Sequence, residues 1–435
     1  MQSSEQSNAY WLPKVKIIDA AYNPNTEYCI GINDGKITYI QEYHSDITIP
    51  TNYQKLDCEG AFVSVGWCDM RAFVTEPGME HRETLMSASK AAPLGGFTQV
   101  AILPNTKPSI ENKESIYFLE QENKKINFNQ SAKVDFLAIA ALTHKAEGQE
   151  MTQMYDLHKA GAVAFSDGLK NISHTGVLMR ALQYTQAFDG LVMQLPSDEN
   201  LSNGHMHEGI TSTKLGLKGL PSIAEEMMIQ RDLEILRYTG GKIHFSTIST
   251  ARSVELIRKA KQEGLNVTCD IAAYQLSFLD EDLAKDDFIF DTFLKVFPPF
   301  RTQNDRDALL QGLKDNTIDV IVSNHIPHDE ETKKLEFDLA DFGIINFQTA
   351  FAAIRKQTEQ ILNIEELIQK ITINPRKILK LKQPKIKEGE KVNLTVFYPN
   401  EEWKFDKKIN VSKSKNSPFM DLEDSLKGKV LKTFS

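Results

Sequence analysis

Cysteine is scarce in this 435-residue chain, and its four copies, Cys29, Cys58, Cys68 and Cys269, are widely spaced with no Cys-x-x-Cys pair. That spacing argues against a disulfide framework or a zinc knuckle and reads as reduced, small apolar side chains. Long apolar runs are also missing. No stretch approaches the roughly 18 residues that cross a bilayer, and Met1 to Ala9 are polar, unlike a secretory leader. A surplus of positive charge is absent too. The chain has 50 basic against 59 acidic residues, a formal net charge of -9, and no basic run interleaved with aromatics. A phosphate backbone calls for the opposite balance, so nucleic acid is not the expected partner. Neither an internal repeat nor a low-complexity tract interrupts the chain. What remains, 41% hydrophobic and 25% charged, is the composition of a soluble protein with a sizeable core, and the cytosol is the expected compartment.

What is present is alternation. Residues 14–62 read as short strands at 15–19, 28–32 and 36–40, with Asp34-Gly35 as a turn. From 62 onward apolar strands alternate with amphipathic helices. Strands are expected at 62–67, 97–103, 134–140, 162–166, 190–194, 242–247, 266–269 and 319–323. Helices are expected near 80–93, 112–124, 149–160, 174–186, 222–238, 250–263, 304–314 and 345–357. Eight such units predict an α/β fold, a (β/α)8 TIM barrel over 62–384, rather than a doubly wound open sheet. Segments 195–221 and 270–303 are too long for simple connections, and both follow strand C-termini, the face where barrels build sites. The tail returns to strand signals at 391–398, 403–405 and 428–431. Residues 1–61 and 385–435 are therefore expected to pair as one small β-sandwich.

The stretch Asp69-Met70-Arg71-Ala72-Phe73-Val74-Thr75-Glu76-Pro77-Gly78 ends the first barrel unit. It resembles the first-strand motif of the dihydroorotases, within the cyclic amidohydrolase superfamily, which reads Asp-x-His-x-His-x-Arg and then Glu-Pro-Gly. The resemblance continues in order along nearly the whole chain. It includes Gly95-Gly96-Phe97-Thr98 and Leu103-Pro104-Asn105-Thr106-Lys107-Pro108. Further on come Glu208-Gly209, Gly219-Leu220-Pro221, Ala224-Glu225 and Pro298-Pro299-Phe300-Arg301, then Asn374-Pro375 and Ser412 to Phe419. Each piece alone is weak, and the ordered set is strong. It places the chain with the long-form dihydroorotases, whose fold is a barrel plus a composite β-sandwich.

In that family histidines and a carboxylate hold a catalytic zinc whose bound water attacks the cyclic amide. Carried over position by position, the resemblance puts Arg71 and Phe73 at the first two ligand places. It puts Asp167 at the third, Leu195 at the fourth and Thr247 at the fifth. Asn324 stands at the last, which also serves as general base. An asparagine cannot take a proton from water near neutral pH. Of the substrate places Asn105 and His328 are kept, whereas an arginine is replaced by Thr75 and an asparagine by Phe297. One aspartate does not hold a catalytic zinc, so no metal is expected.

Structural readings compete at the retained residues. Asp167 could cap the next turn, His244 could be a satisfied core histidine, and His325 and His328 could order the loop after the last strand. His205 and His207 form a His-x-His without further ligands nearby in sequence. Arg71 could replace the charge of the lost cation by pairing with Asp167.

Three functions follow. The first is a non-catalytic scaffold or regulatory subunit, which by family analogy would serve aspartate transcarbamoylase in pyrimidine biosynthesis. The second is an active dihydroorotase or related cyclic amide hydrolase with a rearranged site using His325, His328 and Asp167. The third is a small-molecule sensor using the old pocket. A homodimer is the expectation from the family.

Overall fold

A computed structural model describes residues 9–128 and 133–435, so the polar stretch read at Met1 to Ala9 lies, apart from Ala9, outside the described residues. Eight parallel strands form the barrel: Trp67–Ala72, Phe97–Ile102, Asp135–Ala140, Ala164–Phe165, Val192–Gln194, Ile243–Phe245, Val267–Ala272 and Val320–Val322. They pair in sequence order, and a bridge between Ala72 and His325 brings the last strand back to the first. The inward side chains, Met70, Ala101, Ile139, Ala164, Met193 and Val320 among them, fill the barrel as a packed apolar core.

Helices cover the outside wherever an apolar stripe meets a capping residue. Ala251–Gln262 is typical. Thr250 accepts the Ser253 N–H, and Val254, Ile257 and Ala260 recur at three-residue spacing on the buried face. The first helix, Leu85–Leu94, begins five residues later than its pattern predicts. Residues 80–83 are unavailable because Thr75 Oγ1 donates to Glu83 O at 2.8 Å and accepts the Glu83 N–H at 2.9 Å. Two helices after the last barrel strand, Ile364–Ile371 and Ile373–Ile378, escaped the sequence reading.

The two chain ends share one sheet, in the order Leu426–Phe434, Leu394–Trp403, Phe62–Val65, Tyr10–Ile18, Tyr28–Asn33 and Lys36–Glu42. One expectation changes here. Residues 62–67 are not a single barrel strand: Phe62–Val65 lies parallel to Lys16–Ile18 and antiparallel to Leu394–Phe397 in this sheet. The barrel strand starts at Trp67. Gly66 separates the two, and a Cβ there would sit 2.4 Å from the Thr98 methyl, so only glycine lets the chain pass from sheet to barrel.

The junction is pinned by Arg376, which is fully buried. Its Nε donates to Gln99 Oε1 at 2.7 Å, its Nη1 to Thr372 O at 3.2 Å and its Nη2 to Gly66 O at 2.7 Å. The C-terminal segment also leaves the sheet to strap the opposite end of the barrel. Ser412 donates to the Glu83 carboxylate, Ser414 Oγ to Arg82 O, and Asn416 Nδ2 to Ile326 O and Gly343 O.

Candidate functional site

The C-terminal ends of the barrel strands converge on a closed mouth. Arg71, Phe73, Asp167, Leu195, Thr247 and Asn324 all lie at or just past these strand ends, and none is more than 3% exposed. Arg71 reaches across the centre. Its Nε donates to Asn324 Oδ1 at 3.0 Å and its Nη2 to Gly168 O at 3.2 Å. The Asn324 amide donates in turn to Tyr274 Oη at 2.6 Å. A guanidinium thus bonds the residue at one ligand place while standing at another.

The expected ion pair between Arg71 and Asp167 does not form. Asp167 faces Thr143 instead, accepting its N–H at 2.9 Å and its hydroxyl at 2.5 Å. Arg71 bonds the neighbouring Gly168 carbonyl rather than the acid. The carboxylates whose charge acts on Arg71 are Asp270 and Asp69, while burial works against the guanidinium and pulls its pKa down. Asp69 accepts from Ser323 Oγ and from the backbone N–H groups of Ser323 and Arg71, each 3.2 Å away. Burial raises its pKa to about 7, with those hydrogen bonds opposing the shift.

Asp270, which the sequence reading left in a loop, organises the other side. Its Oδ2 lies 2.8 Å from His244 Nε2, and its Oδ1 accepts the Thr247 N–H at 2.6 Å. His244 Nδ1 meets Thr268 Oγ1 at 2.8 Å, so both ring nitrogens are engaged inside the barrel wall. Thr247 is held at φ +53° and Asn324 at φ +46°, a left-handed backbone that a β-branched residue rarely adopts. Asp270 was findable, since it is a lone carboxylate within an otherwise apolar stretch of the seventh strand, between Cys269 and Ile271. Tyr274 and Thr143 carry no such signal.

The retained substrate positions are occupied by structure. Asn105 donates to Asp167 O at 3.0 Å and accepts the Leu169 N–H at 2.9 Å, clamping the turn at Gly168. Gly168 has φ +67°, and a Cβ on it would lie 1.9 Å from Asn105 Oδ1. Thr75 is committed to Glu83. His328 Nε2 lies 2.9 Å from Phe342 O, with Nδ1 beside Arg82 and Asp341, and Phe297 packs edge-on against Phe342. His325 Nδ1 accepts the Asn346 N–H at 3.1 Å, its ring stacks on Phe347, and Nε2 faces Glu83 at 3.5 Å. His207 Nδ1 is 3.1 Å from Arg301 Nη1, and that arginine also donates to Leu220 O and Ser249 Oγ. The His-x-His thereby belongs to the framework of the loop after the fifth strand.

These donors do not fit the zinc ion of the family. Among the described residues no group of three or more His, Cys, Asp or Glu could hold a metal, and the centre of the mouth carries a fixed cation. Beside it lies a cavity of about 380 Å³, lined by Leu195, Phe297, Lys170, Asn171, Ser197 and Glu199 among others.

The fold defines the class. The L-hydantoinase (dihydropyrimidinase) of Arthrobacter aurescens superposes with a TM-score of 0.80 at 21% identity, over 98% of this chain and 94% of that one. The dihydropyrimidinase of Brevibacillus agri gives 0.79 at 16% identity, over 98% and 94%. The likeness shows a shared fold, a (β/α)8 barrel joined to a sheet made from both chain ends. Sequence narrows it further. A family model described as Dihydro-orotase-like matches residues 60–253. A dihydroorotase of Carboxydothermus hydrogenoformans is 40% identical over 85% of this chain and 85% of its own length. One of Syntrophus aciditrophicus is 35% identical over 96% of both. This chain belongs to the dihydroorotase family.

Proposed function

We propose that this chain is a non-catalytic member of its family, a scaffold or regulatory subunit in pyrimidine biosynthesis that works without zinc. The observation that carries the reading is Arg71 bonded to Asn324. One substitution removes a ligand and installs a positive charge where a dication would sit, and the other removes the general base. Like charges at one centre repel, so Arg71 and a zinc ion exclude one another. The residues that still match the family, Asn105, Arg301 and Asn416, bond to backbone and loops, which supports a role in holding shape.

The partner proposed is the catalytic chain of aspartate transcarbamoylase, the preceding enzyme of the pathway. Size-exclusion chromatography of the two purified chains tests this. The reading expects one co-eluting species of fixed stoichiometry, and separate elution at micromolar concentration would contradict it. A second reading, a small-molecule sensor, draws on the 380 Å³ cavity beside the mouth. A rise in melting temperature with dihydroorotate or carbamoyl aspartate supports it, and an unchanged melting temperature removes it.

A further inference from the structure

The net charge of the chain is not spread over its surface. Residues 280–295 and 329–341, which follow the seventh and eighth barrel strands, hold twelve carboxylates and four lysines. They account for eight of the nine net negative charges. The two segments form one lobe at the rim of the mouth. Thr292 Oγ1 donates to Lys333 O at 2.5 Å, Gly343 N to Lys295 O at 3.0 Å, and Lys295 Nζ to Asp338 O at 2.9 Å.

Two of the four lysines are spent inside it. Lys333 Nζ donates to Asp341 O at 2.7 Å, and Lys295 Nζ lies 4.7 Å from the Phe342 ring, both side chains being buried. The other two, Lys285 and Lys334, pair with Asp282 and Glu330. Among the described residues Glu281, Asp286, Asp287, Glu331, Glu336 and Asp338 form no ion pair, and all six are exposed. Between them stand four exposed apolar side chains: Ile289 (52%), Phe290 (44%), Leu335 (44%) and Leu339 (64%). Single exposed apolar residues need no explanation. Arg82 and Lys415 from outside the lobe pair with Asp329, Asp341 and Glu330, but four exposed apolar side chains among the six unpaired carboxylates mark a contact surface.

We infer that this acidic lobe docks a protein whose contact face is apolar at its centre and ringed with lysine or arginine. A second copy of this chain does not fit, because a two-fold contact would set the same carboxylates against one another. The inference rests on the scaffold reading, since it names the surface that such a subunit would use. Oppositely charged rims steer encounter and tie affinity to ionic strength, whereas the apolar centre sets dissociation.

The test uses the full-length chain and the catalytic chain of aspartate transcarbamoylase, with affinity read by calorimetry. Three forms are compared: wild type, the lobe variant Glu336→Lys/Asp338→Lys, and Glu234→Lys/Glu255→Lys on outer helices of the barrel. The expected result is roughly tenfold or greater weakening in the lobe variant alone, with a flatter salt dependence. Leu335→Ser/Leu339→Ser weakens binding as well and leaves the salt dependence unchanged. All substituted side chains are exposed, and an unchanged melting temperature confirms folding. Tight binding that is indifferent to both lobe variants overturns this surface and leaves the scaffold reading intact. No binding by the wild type overturns both.

Discussion

Two buried arginines mark the two ends of the barrel, and their surroundings differ. Arg376, where the barrel meets the composite sheet, bonds Gln99, Thr372 and Gly66 with every nitrogen in use. Arg71, in the mouth, bonds Asn324 and Gly168, and among the described residues neither its Nη1 nor the Thr247 hydroxyl beside the strand ends has a partner. One end is a finished structural joint. The other is a polar centre whose guanidinium is only partly bonded. Unsatisfied buried polar groups and left-handed β-branched backbone are features of functional sites more than of structural joints.

The largest expected effect contrasts the two directly. Arg376→Met strands two buried carbonyls and the half-buried Gln99 amide and should cost on the order of 3 kcal/mol, whereas Arg71→Met should cost about half of that, both read by denaturant unfolding. Equal losses would erase the distinction between joint and mouth. Next is Thr247→Asn. Its left-handed backbone and unpartnered hydroxyl mean that asparagine should raise stability by about 1 kcal/mol, and a loss of stability would show that the threonine is held for a reason not visible in its contacts.

A third contrast is a pH effect at Asp69. Its folded pKa, about 7, lies above the ordinary 3.8, so the folded state keeps a proton that the unfolded state releases. Stability from this group is complete below about pH 4 and declines as pH rises towards 7. Asp69→Asn removes that decline, and melting curves at pH 5 and pH 8 should lie closer together than in wild type. An unchanged separation would mean that Asp69 is ionised throughout.

Much of this architecture was legible because it follows from periodicity and from short motifs. The eight strand-helix units and the long insertions at 195–221 and 270–303 fall where the apolar pattern puts them. Errors arose where a single residue redirects the chain. Gly66 splits an apolar run into two strands of different sheets, and Thr75 delays a helix by clamping Glu83. The helix Ile364–Ile371 was readable in principle, for Asn363 and Glu366 form a capping box.

The substitutions at the mouth were equally plain in sequence, but their consequences were not. Opposite charges at neighbouring ligand places suggested an Arg71–Asp167 pair. The backbone N–H and hydroxyl of Thr143, 24 residues from Asp167, decided otherwise, and no local pattern announces them. Conversely Asp270 and Tyr274, which order the mouth from the seventh strand, matter through contacts over distances of 23 to 50 residues in sequence.

One preparation tests whether the Arg71 guanidinium stands in place of a metal ion. The purified full-length chain, produced in zinc-supplemented medium, is assayed for bound metal and for dihydroorotate hydrolysis. The account predicts substoichiometric zinc and turnover no higher than a mock preparation. Stoichiometric zinc together with hydrolysis lost on chelation would contradict it, and would require a ligand set other than the one that surrounds Arg71.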